Sequence, residues 1–468
     1  MSSNLRLYIT PEDYAVFAGP DWPSYEDLLA GRLTELDHIN QEVQEFIDMH
    51  RQQGIKFPIK SATACQSKWT WSTLWLNRLA TSSCHRVNPV PFALDELENF
   101  HNIPRKIKDR EMMLAGEWPG GGCEYCRDIE RAGGWSDRQH NLEIRGLTPP
   151  ELETDFAATA VTPRLVEIFA QNTCNLACIY CNATLSSKIE QENRKFGTFN
   201  SGGVTIPVEH IPEATEEYFQ RWLQWLEQNI GSIKRLHLLG GETFLQHRLM
   251  DSVLDIIQRR PCPELEFCVF SNFNVPDRIW DHYTGRIRDL QQQGHIKVFD
   301  LTASIDCWGP AAEYVRSGLD LAKFEHRFAW AAEQGPWMRL TVNQTITAMT
   351  IRTMPELIEK IAYYSQHRHI GQYFEFYVEK NIYQHPRIFA WDFWREDFSR
   401  IFAVLPRSTP EQQEVHQRMS GIQKLLEQST VHNYKEIAKL HTYLDEIDRR
   451  RNTNWRSLFS YLDINEPT

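Results

Sequence analysis

The chain has 468 residues, a length that suits two or three domains or one barrel with additions. Its composition, 41% hydrophobic and 24% charged, is ordinary for a globular protein, and a formal net charge of −12 argues against an extended nucleic-acid surface. No run of about 18 apolar residues occurs, and the N-terminus lacks a basic segment followed by an apolar core. We therefore expect no membrane span, no secretory signal and a cytoplasmic location.

Four segments are predicted along the chain. Residues 1–60 carry helical periodicity and form a predicted N-terminal extension, whereas residues 61–146 indicate a small cysteine-rich module with few regular elements. A boundary is expected near residues 147–163, before strands and helices alternate through residues 163–380. Residues 381–468 are aromatic and then helical, and they form a predicted C-terminal extension.

The alternating segment predicts an α/β fold. The expected strands are Leu165–Ala170, Arg235–Leu239, Leu265–Phe270, Ile296–Ser304, Met338–Thr347 and Tyr373–Glu379. The expected helices between them include Glu213–Asn229, Arg248–Arg259, Leu319–Glu333 and Pro355–His367. Parallel strands joined by helical crossovers indicate a partial (β/α)6, TIM-like barrel. The C-terminal extension is expected to pack on this barrel through an apolar helix face. That face consists of Leu440, Tyr443, Leu444 and Ile447, which recur at helical spacing.

The last three predicted strands alternate polar and apolar residues, so each presents a polar row on one face. Such rows on neighbouring strands predict a cavity for a polar ligand inside the barrel. On the last strand, Glu375 and Tyr377 are candidate anchors for a polar or cationic substrate group, and Phe374, Phe376 and Val378 are expected to face the outer helices. The alternative is a network that only satisfies buried polar atoms.

Ten cysteines occur in the chain, and most of them fall into two groups. The first group is Cys65, Cys84, Cys123 and Cys126, and the second is Cys174, Cys178 and Cys181. Disulfides are rare in the reducing cytosol, where clustered thiols more often bind metal or do chemistry. The separate cysteines, which are expected to be small buried residues, are Cys262, Cys268 and Cys307.

The second group has the spacing Cys-x3-Cys-x2-Cys and directly follows the first predicted strand. Three thiolates on one short loop can hold three corners of a cuboidal iron–sulfur cluster, which leaves one iron without a thiolate. An open coordination position is typical of a catalytic metal rather than a structural one. A zinc site completed by a distant ligand is the alternative.

Gly240-Gly241-Glu242 follows the second strand, where glycines let the backbone approach a ligand and the carboxylate can take an ammonium group. With the cysteine spacing and an aromatic residue, Tyr180, before the last cysteine, the sequence resembles the radical S-adenosylmethionine superfamily. The other residues that carry the resemblance are Ser271 and Asn272 after the third strand, Ser304, Asp306 and Arg316 at and after the end of the fourth, and Asn343 on the fifth. The resemblance covers residues 163–379.

This resemblance implies a definite chemistry. A 4Fe–4S cluster on the second cysteine group would chelate the amine and carboxylate of S-adenosylmethionine, with Glu242 at the amine, Arg316 at the carboxylate and Asn343 at the ribose. One electron from a reductant such as flavodoxin or ferredoxin would give a 5′-deoxyadenosyl radical that abstracts a substrate hydrogen. A peptide or protein substrate is favoured. The alternatives are a small metabolite, such as a sugar or nucleotide, and a non-catalytic metal-binding adaptor.

The first cysteine group admits two metals, because four cysteines fully ligate either a 4Fe–4S cluster or a structural zinc. The segment around this group resembles the twitch-type module of radical S-adenosylmethionine enzymes, which implies a second, auxiliary 4Fe–4S cluster. Here the module precedes the barrel segment, whereas in better-known members it follows. His85 is expected to be a neighbour of the site and not a ligand.

Overall fold

The structure, a computed structural model, describes residues 63, 65–131, 138, 160–209, 211, 214–366, 368–376 and 382–466. The predicted N-terminal extension, most of the expected boundary segment and Tyr377 lie outside the described residues, and of Glu375 the structure describes the backbone. Among the described helices, none is both long enough and apolar enough to cross a membrane.

The described strands are β1 (Trp71–Trp75), β2 (Ala80–Ser82), β3 (Val90–Pro91), β4 (Leu165–Phe169), β5 (Ala177–Cys178), β6 (Phe199–Ser201), β7 (Val204–Ile206), β8 (Arg235–Leu239), β9 (Cys262–Ser271), β10 (Ile296–Ser304), β11 (Arg316–Ser317), β12 (Met338–Thr345) and β13 (Gly371–Glu375). The described α-helices are α1 (Ser67–Thr70), α2 (Pro104–Leu114), α3 (Glu124–Arg131), α4 (Ser187–Phe196), α5 (Glu216–Asn229), α6 (His247–Arg259), α7 (Asp277–Gln292), α8 (Pro310–Val315), α9 (Leu321–Ala332), α10 (Met354–Tyr364), α11 (Arg395–Val404), α12 (Pro410–Glu427), α13 (Tyr434–Arg451) and α14 (Trp455–Leu458).

The chain divides into two compact units, one formed by residues 1–168 and 215–234 and the other by residues 169–214 and 235–468. In the first unit, β1, β2 and β3 form an antiparallel meander, and β4 lies beside β1. β1 is almost entirely buried, so its polar side chains bond inside the protein: the Thr73 hydroxyl donates to the Glu167 carboxylate at 2.7 Å.

The first unit contains more regular structure than the sequence predicts for residues 61–146. α2 starts with a proline at its first turn, where the missing N–H is not needed. The face of α2 that turns inward carries Lys106, Asp109, Arg110 and Met113, at helical spacing. Because three of these four residues are charged, apolar periodicity could not reveal the helix.

α5 belongs to the first unit, although its position between two predicted strands suggests a crossover of the barrel. Trp222, Trp225 and Leu226 are buried on one face, as their spacing predicts. The Trp225 ring lies edge-on to Phe100, with ring centroids 4.7 Å apart.

The second unit is a mixed α/β structure with a large parallel sheet, in the order β8-β9-β10-β12-β13. The bounds of β8 and β10 are those predicted from the sequence, and helices connect the successive strands. One face of the sheet is apolar, because Leu236, Phe267, Phe299 and Met338 are register neighbours and all are buried. Closure of the parallel strands into a partial barrel stays a prediction.

The opposite face of this sheet carries the polar rows. Asn343 lies in register between Ser304 and Tyr373, and the backbone of Glu375 pairs with Thr345. Toward the amino ends of the strands, ion pairs fill the same face. They comprise Arg235 with Asp300 at 2.7 Å and Arg339 with Glu266 at 2.7 Å. Ion pairs therefore occupy the lower part of the face, and the ligand cavity stays a prediction for the carboxyl ends of the strands.

Candidate functional site

The second cysteine group lies on a loop that the second unit holds in place by backbone pairing. β5 contains Cys178 and pairs antiparallel with β11, where Arg316 is the register partner of Cys178. The Ile179 amide donates to the Val315 carbonyl at 2.8 Å, and the Cys181 amide donates to the Cys178 carbonyl at 3.1 Å. The loop therefore has a defined path over its last two cysteines.

The three thiols of this loop are half-buried and close enough to affect one another's ionisation. Burial raises the pKa of Cys174 to about 12, and the neighbouring Cys178 adds to the rise. Burial likewise raises the pKa of Cys181, with further contributions from Cys178 and Cys174. Such thiols stay protonated near neutral pH until a metal displaces the protons, which is the usual behaviour of metal-binding cysteines.

Gly240 and Gly241 bring the loop after β8 against the cysteine loop. Their φ angles are +90° and +53°, a region that favours glycine. A Cβ on Gly241 would lie 2.1 Å from the Thr173 carbonyl oxygen, and one on Gly240 would lie 2.8 Å from the Gln171 carbonyl oxygen. The Glu242 amide then donates to the Thr173 carbonyl at 2.7 Å. The glycines thus approach the backbone of the cysteine loop itself.

Glu242 is fully buried beside the end of β9. Its carboxylate accepts hydrogen bonds from the Ser271 hydroxyl at 2.9 Å, the Asn272 amide at 2.7 Å and the Phe244 amide at 3.2 Å. Burial raises the pKa of Glu242 to about 7, although these hydrogen bonds oppose the rise. Asn272 also reaches the cysteine loop, because its side-chain amide donates to the Asn175 side-chain oxygen at 2.8 Å.

Tyr180, Asp306 and Arg316 form one buried network beside Cys178. Arg316 donates through Nε and Nη2 to the two oxygens of Asp306, each at 2.8 Å, and the Tyr180 hydroxyl donates to the same carboxylate at 2.8 Å. The third guanidinium nitrogen, Nη1, lies 4.0 Å from the Cys178 sulfur. Arg316 thus pairs with a protein carboxylate, and its contact with a ligand carboxylate stays a prediction.

The structure therefore connects most of the predicted site residues through contacts with the cysteine loop. Ser304 and Asn343 stand side by side at the carboxyl ends of β10 and β12 and are half-buried. The backbone of Glu375 follows on the neighbouring strand, and Tyr377 lies outside the described residues. Among the described residues, no group of three or more His, Cys, Asp or Glu side chains is arranged around a single metal ion.

The first cysteine group also converges, within the first unit. Cys65, Cys84 and Cys123 pack against one small cluster that contains Trp69, Val87 and Met113. Cys126 follows one turn later on α3. Burial raises the pKa of Cys84 to about 12, with Cys65 adding to the rise, and burial raises the pKa of Cys123 to about 11. This packing is consistent with the expectation, drawn from the sequence, that these thiols share one region.

Two features bring this group together. Gly122 has φ +123° and packs against the segment after Cys84, since a Cβ there would lie 2.1 Å from the Arg86 carbonyl oxygen. Lys68, almost fully buried, donates to Asp109 at 2.7 Å, and its charge lowers the pKa values of Cys84 and Cys123 against the effect of burial. Lys68-Trp69 is one of the motifs that carry the twitch-type resemblance, but the sequence does not indicate that Lys68 is buried or that it pairs with Asp109.

Sequence reasoning also missed contacts from the C-terminal extension. Tyr443 and Gln384 both donate to the carbonyl of Ile179, which lies between Cys178 and Cys181. Helical spacing identifies Tyr443 only as part of a buried face, and the partner of its hydroxyl lies 264 residues away in the sequence.

No protein-family model and no curated protein matches this chain. Among solved structures, it is similar to one described as a structure of TYW1 with a lysine–pyruvate adduct bound. The two chains are 13% identical, the match covers 52% of this chain and 70% of the other, and the TM-score is 0.26. A likeness at that TM-score carries no argument about the fold or the function of this protein.

Proposed function

We propose that this protein is a radical S-adenosylmethionine enzyme, with a 4Fe–4S cluster on Cys174, Cys178 and Cys181. One observation carries the proposal: the loops after three neighbouring parallel strands all contact the cysteine loop. Glu242 follows β8, Asn272 follows β9 and the Asp306–Arg316 pair follows β10. Carboxyl ends of parallel strands are where α/β folds gather binding groups, so these contacts support a cofactor site there.

The residues present fit such a cofactor. Three half-buried thiols on one loop are the donor set of a cluster with an open iron, and the hydrogen-bonded loops hold that donor set in place. When bound, the cluster and S-adenosylmethionine would supply a 5′-deoxyadenosyl radical for hydrogen abstraction. Glu242 offers carboxylate oxygens to an amine, and Arg316 offers Nη1 to an anion without leaving Asp306.

The decisive experiment compares two cysteine variants after anaerobic reconstitution with iron, sulfide, reductant and S-adenosylmethionine. Cys178→Ala should abolish formation of 5′-deoxyadenosine, measured by liquid chromatography and mass spectrometry. Cys262→Ala is the control, because Cys262 is also a free cysteine but belongs to neither group. Cleavage that persists in Cys178→Ala would refute the proposal. A cubane that forms on this loop in the wild type without any cleavage would favour the adaptor.

A second 4Fe–4S cluster on the first cysteine group is part of the proposal. Cys65, Cys84 and Cys123 pack around one small apolar cluster, which places them in one region, and the twitch-type resemblance favours iron as the metal they would share. We expect about eight irons per chain, as two cubanes require. About four irons with one zinc would make this group a structural zinc site instead.

The substrate is proposed to enter over the polar face at the carboxyl ends of β10, β12 and β13. Ser304, Asn343 and Tyr373 form one polar row there, beside the residues that contact the cysteine loop. Glu375→Gln should impair turnover of a peptide or metabolite substrate and leave uncoupled cleavage of S-adenosylmethionine intact. Equal loss of stability and of cleavage in that variant would identify a network that only satisfies buried polar atoms. Flavodoxin or ferredoxin is the proposed reductant.

A further inference from the structure

The carbonyl of Ile179 is the point where the C-terminal extension contacts the cysteine loop. The Tyr443 hydroxyl on α13 donates to this carbonyl, and the Gln384 side-chain amide donates to it at 3.2 Å. Ile179, Tyr443 and Gln384 are all buried. The amide of Ile179 is bonded to Val315 on the other side, so both ends of this residue's backbone are fixed by the surrounding protein.

α13 also fastens the helix that follows the cysteine loop. Arg451, in the last turn of α13, donates to the Glu192 carboxylate on α4 at 2.8 and 3.2 Å. Arg450 donates to the Asn193 side chain at 2.9 Å. At the start of α4, the Ser187 hydroxyl accepts a hydrogen bond from the Cys174 amide at 3.0 Å. α13 therefore acts on the loop through Ile179 and on the helix that anchors Cys174.

We propose that α13 is a positioning element of the cluster site. In this inference, Tyr443 and Gln384 hold the Ile179 carbonyl and so fix the turn that directs Cys178 and Cys181 toward the metal, and Arg451 fastens α4 through Glu192. The inference rests on the proposed function. A tyrosine that only fills the core between α13 and the rest of the second unit is the competing explanation.

A pair of tyrosine variants separates the two explanations. Tyr443→Phe removes the hydroxyl that reaches the cysteine loop. Tyr314→Phe is the matched control. The Tyr314 hydroxyl also bonds α13, because it donates to the Asp448 carboxylate at 2.9 Å, but it does not contact the cysteine loop. Gln384→Met removes the second donor to Ile179 and provides an independent variant if Tyr443→Phe folds poorly.

The first measurement uses the metal-free full-length chain. Alkylation of Cys178 and Cys181 by iodoacetamide, followed by mass spectrometry, should be about 2- to 10-fold faster in Tyr443→Phe and in Gln384→Met, the factor expected for one lost hydrogen bond. Tyr314→Phe should leave those rates unchanged. Equal acceleration in Tyr443→Phe and Tyr314→Phe would mean that helix docking alone matters, and would overturn the inference.

The second measurement uses the reconstituted protein. Tyr443→Phe should lose iron to a chelator faster than Tyr314→Phe does. Equal rates of iron loss in Tyr443→Phe and Tyr314→Phe would overturn the inference. Failure of the wild type to form any cubane on this loop would refute the proposed function instead.

Discussion

Replacing Gly241 with alanine tests the close approach between the loop after β8 and the cysteine loop. The added Cβ would lie 2.1 Å from the carbonyl oxygen of Thr173 and 2.7 Å from its carbonyl carbon. Both contacts are with backbone, which cannot rotate away as a flexible side chain does. The Glu242 amide bonds the same carbonyl at 2.7 Å, so the movement that relieves the clash also lengthens that hydrogen bond.

The expected loss has two parts. A left-handed φ of +53° costs a residue with a Cβ about 1–2 kcal/mol relative to glycine. Forcing an extra carbon into a packed contact costs about 1–3 kcal/mol more. Gly241→Ala should therefore lower the free energy of unfolding by about 2–5 kcal/mol, a large part of the ordinary stability of a domain.

The assay is urea denaturation of the metal-free protein, followed by circular dichroism, with Gly285→Ala as the matched control. Gly285 lies inside α7, and nothing stands within 4 Å of the Cβ that alanine would add. Alanine there should stabilise the helix by up to about 1 kcal/mol. The reasoning fails if Gly241→Ala unfolds at the same urea concentration as the wild type, or if both variants shift in the same direction.

Three further predictions concern buried charge. Glu266→Gln should destabilise the second unit by about 1–3 kcal/mol, because it removes the buried anion that accepts hydrogen bonds from Arg339; urea denaturation measures this. Burial lowers the pKa of His385 to about 3, so the unfolded chain takes up a proton between about pH 6.5 and pH 3 that the folded chain does not. The free energy of unfolding should therefore fall as the pH falls through that range. The urea midpoint of unfolding should decline less in His385→Asn than in the wild type. Burial lowers the pKa of Lys106, which means that the charged amine is unfavourable at this position. Lys106→Met should therefore raise the melting temperature, and an unchanged or lower melting temperature would contradict this.

The parallel sheet was predictable because strand-like segments, some apolar and some alternating polar with apolar residues, are separated by helical crossovers. β8 and β10 have the predicted bounds, and the cysteine spacing marked the loop that the surrounding strands contact. α2 was not predictable, since its buried face carries Lys106, Asp109 and Arg110, and a pattern of charges normally indicates solvent. These charged side chains can be buried because the fold supplies partners for them, as Lys68 does for Asp109.

The candidate site shows the same division. From the sequence, Gly241 and Glu242 were recognisable as a glycine and a carboxylate directly after a strand. The sequence does not show which atoms these residues contact. Arg316 illustrates this, because its bidentate pairing with Asp306 depends on the fold of the nine residues between them and on β5. Tyr443 was recognisable only as a buried residue, for its partner is a backbone carbonyl, and every residue has one.

The contact between Tyr443 and Ile179 joins positions 264 residues apart, and this separation has a consequence for synthesis of the protein. At about 5–20 residues per second, a ribosome needs roughly 13–50 s to travel from the cysteine loop to α13. Until then the loop lacks the Tyr443 hydroxyl that bonds the Ile179 carbonyl, and for the first 205 residues of that distance it lacks Gln384 as well. Iron–sulfur delivery to a nascent chain would meet a loosely held loop, whereas delivery after α13 has emerged would meet the arrangement described here.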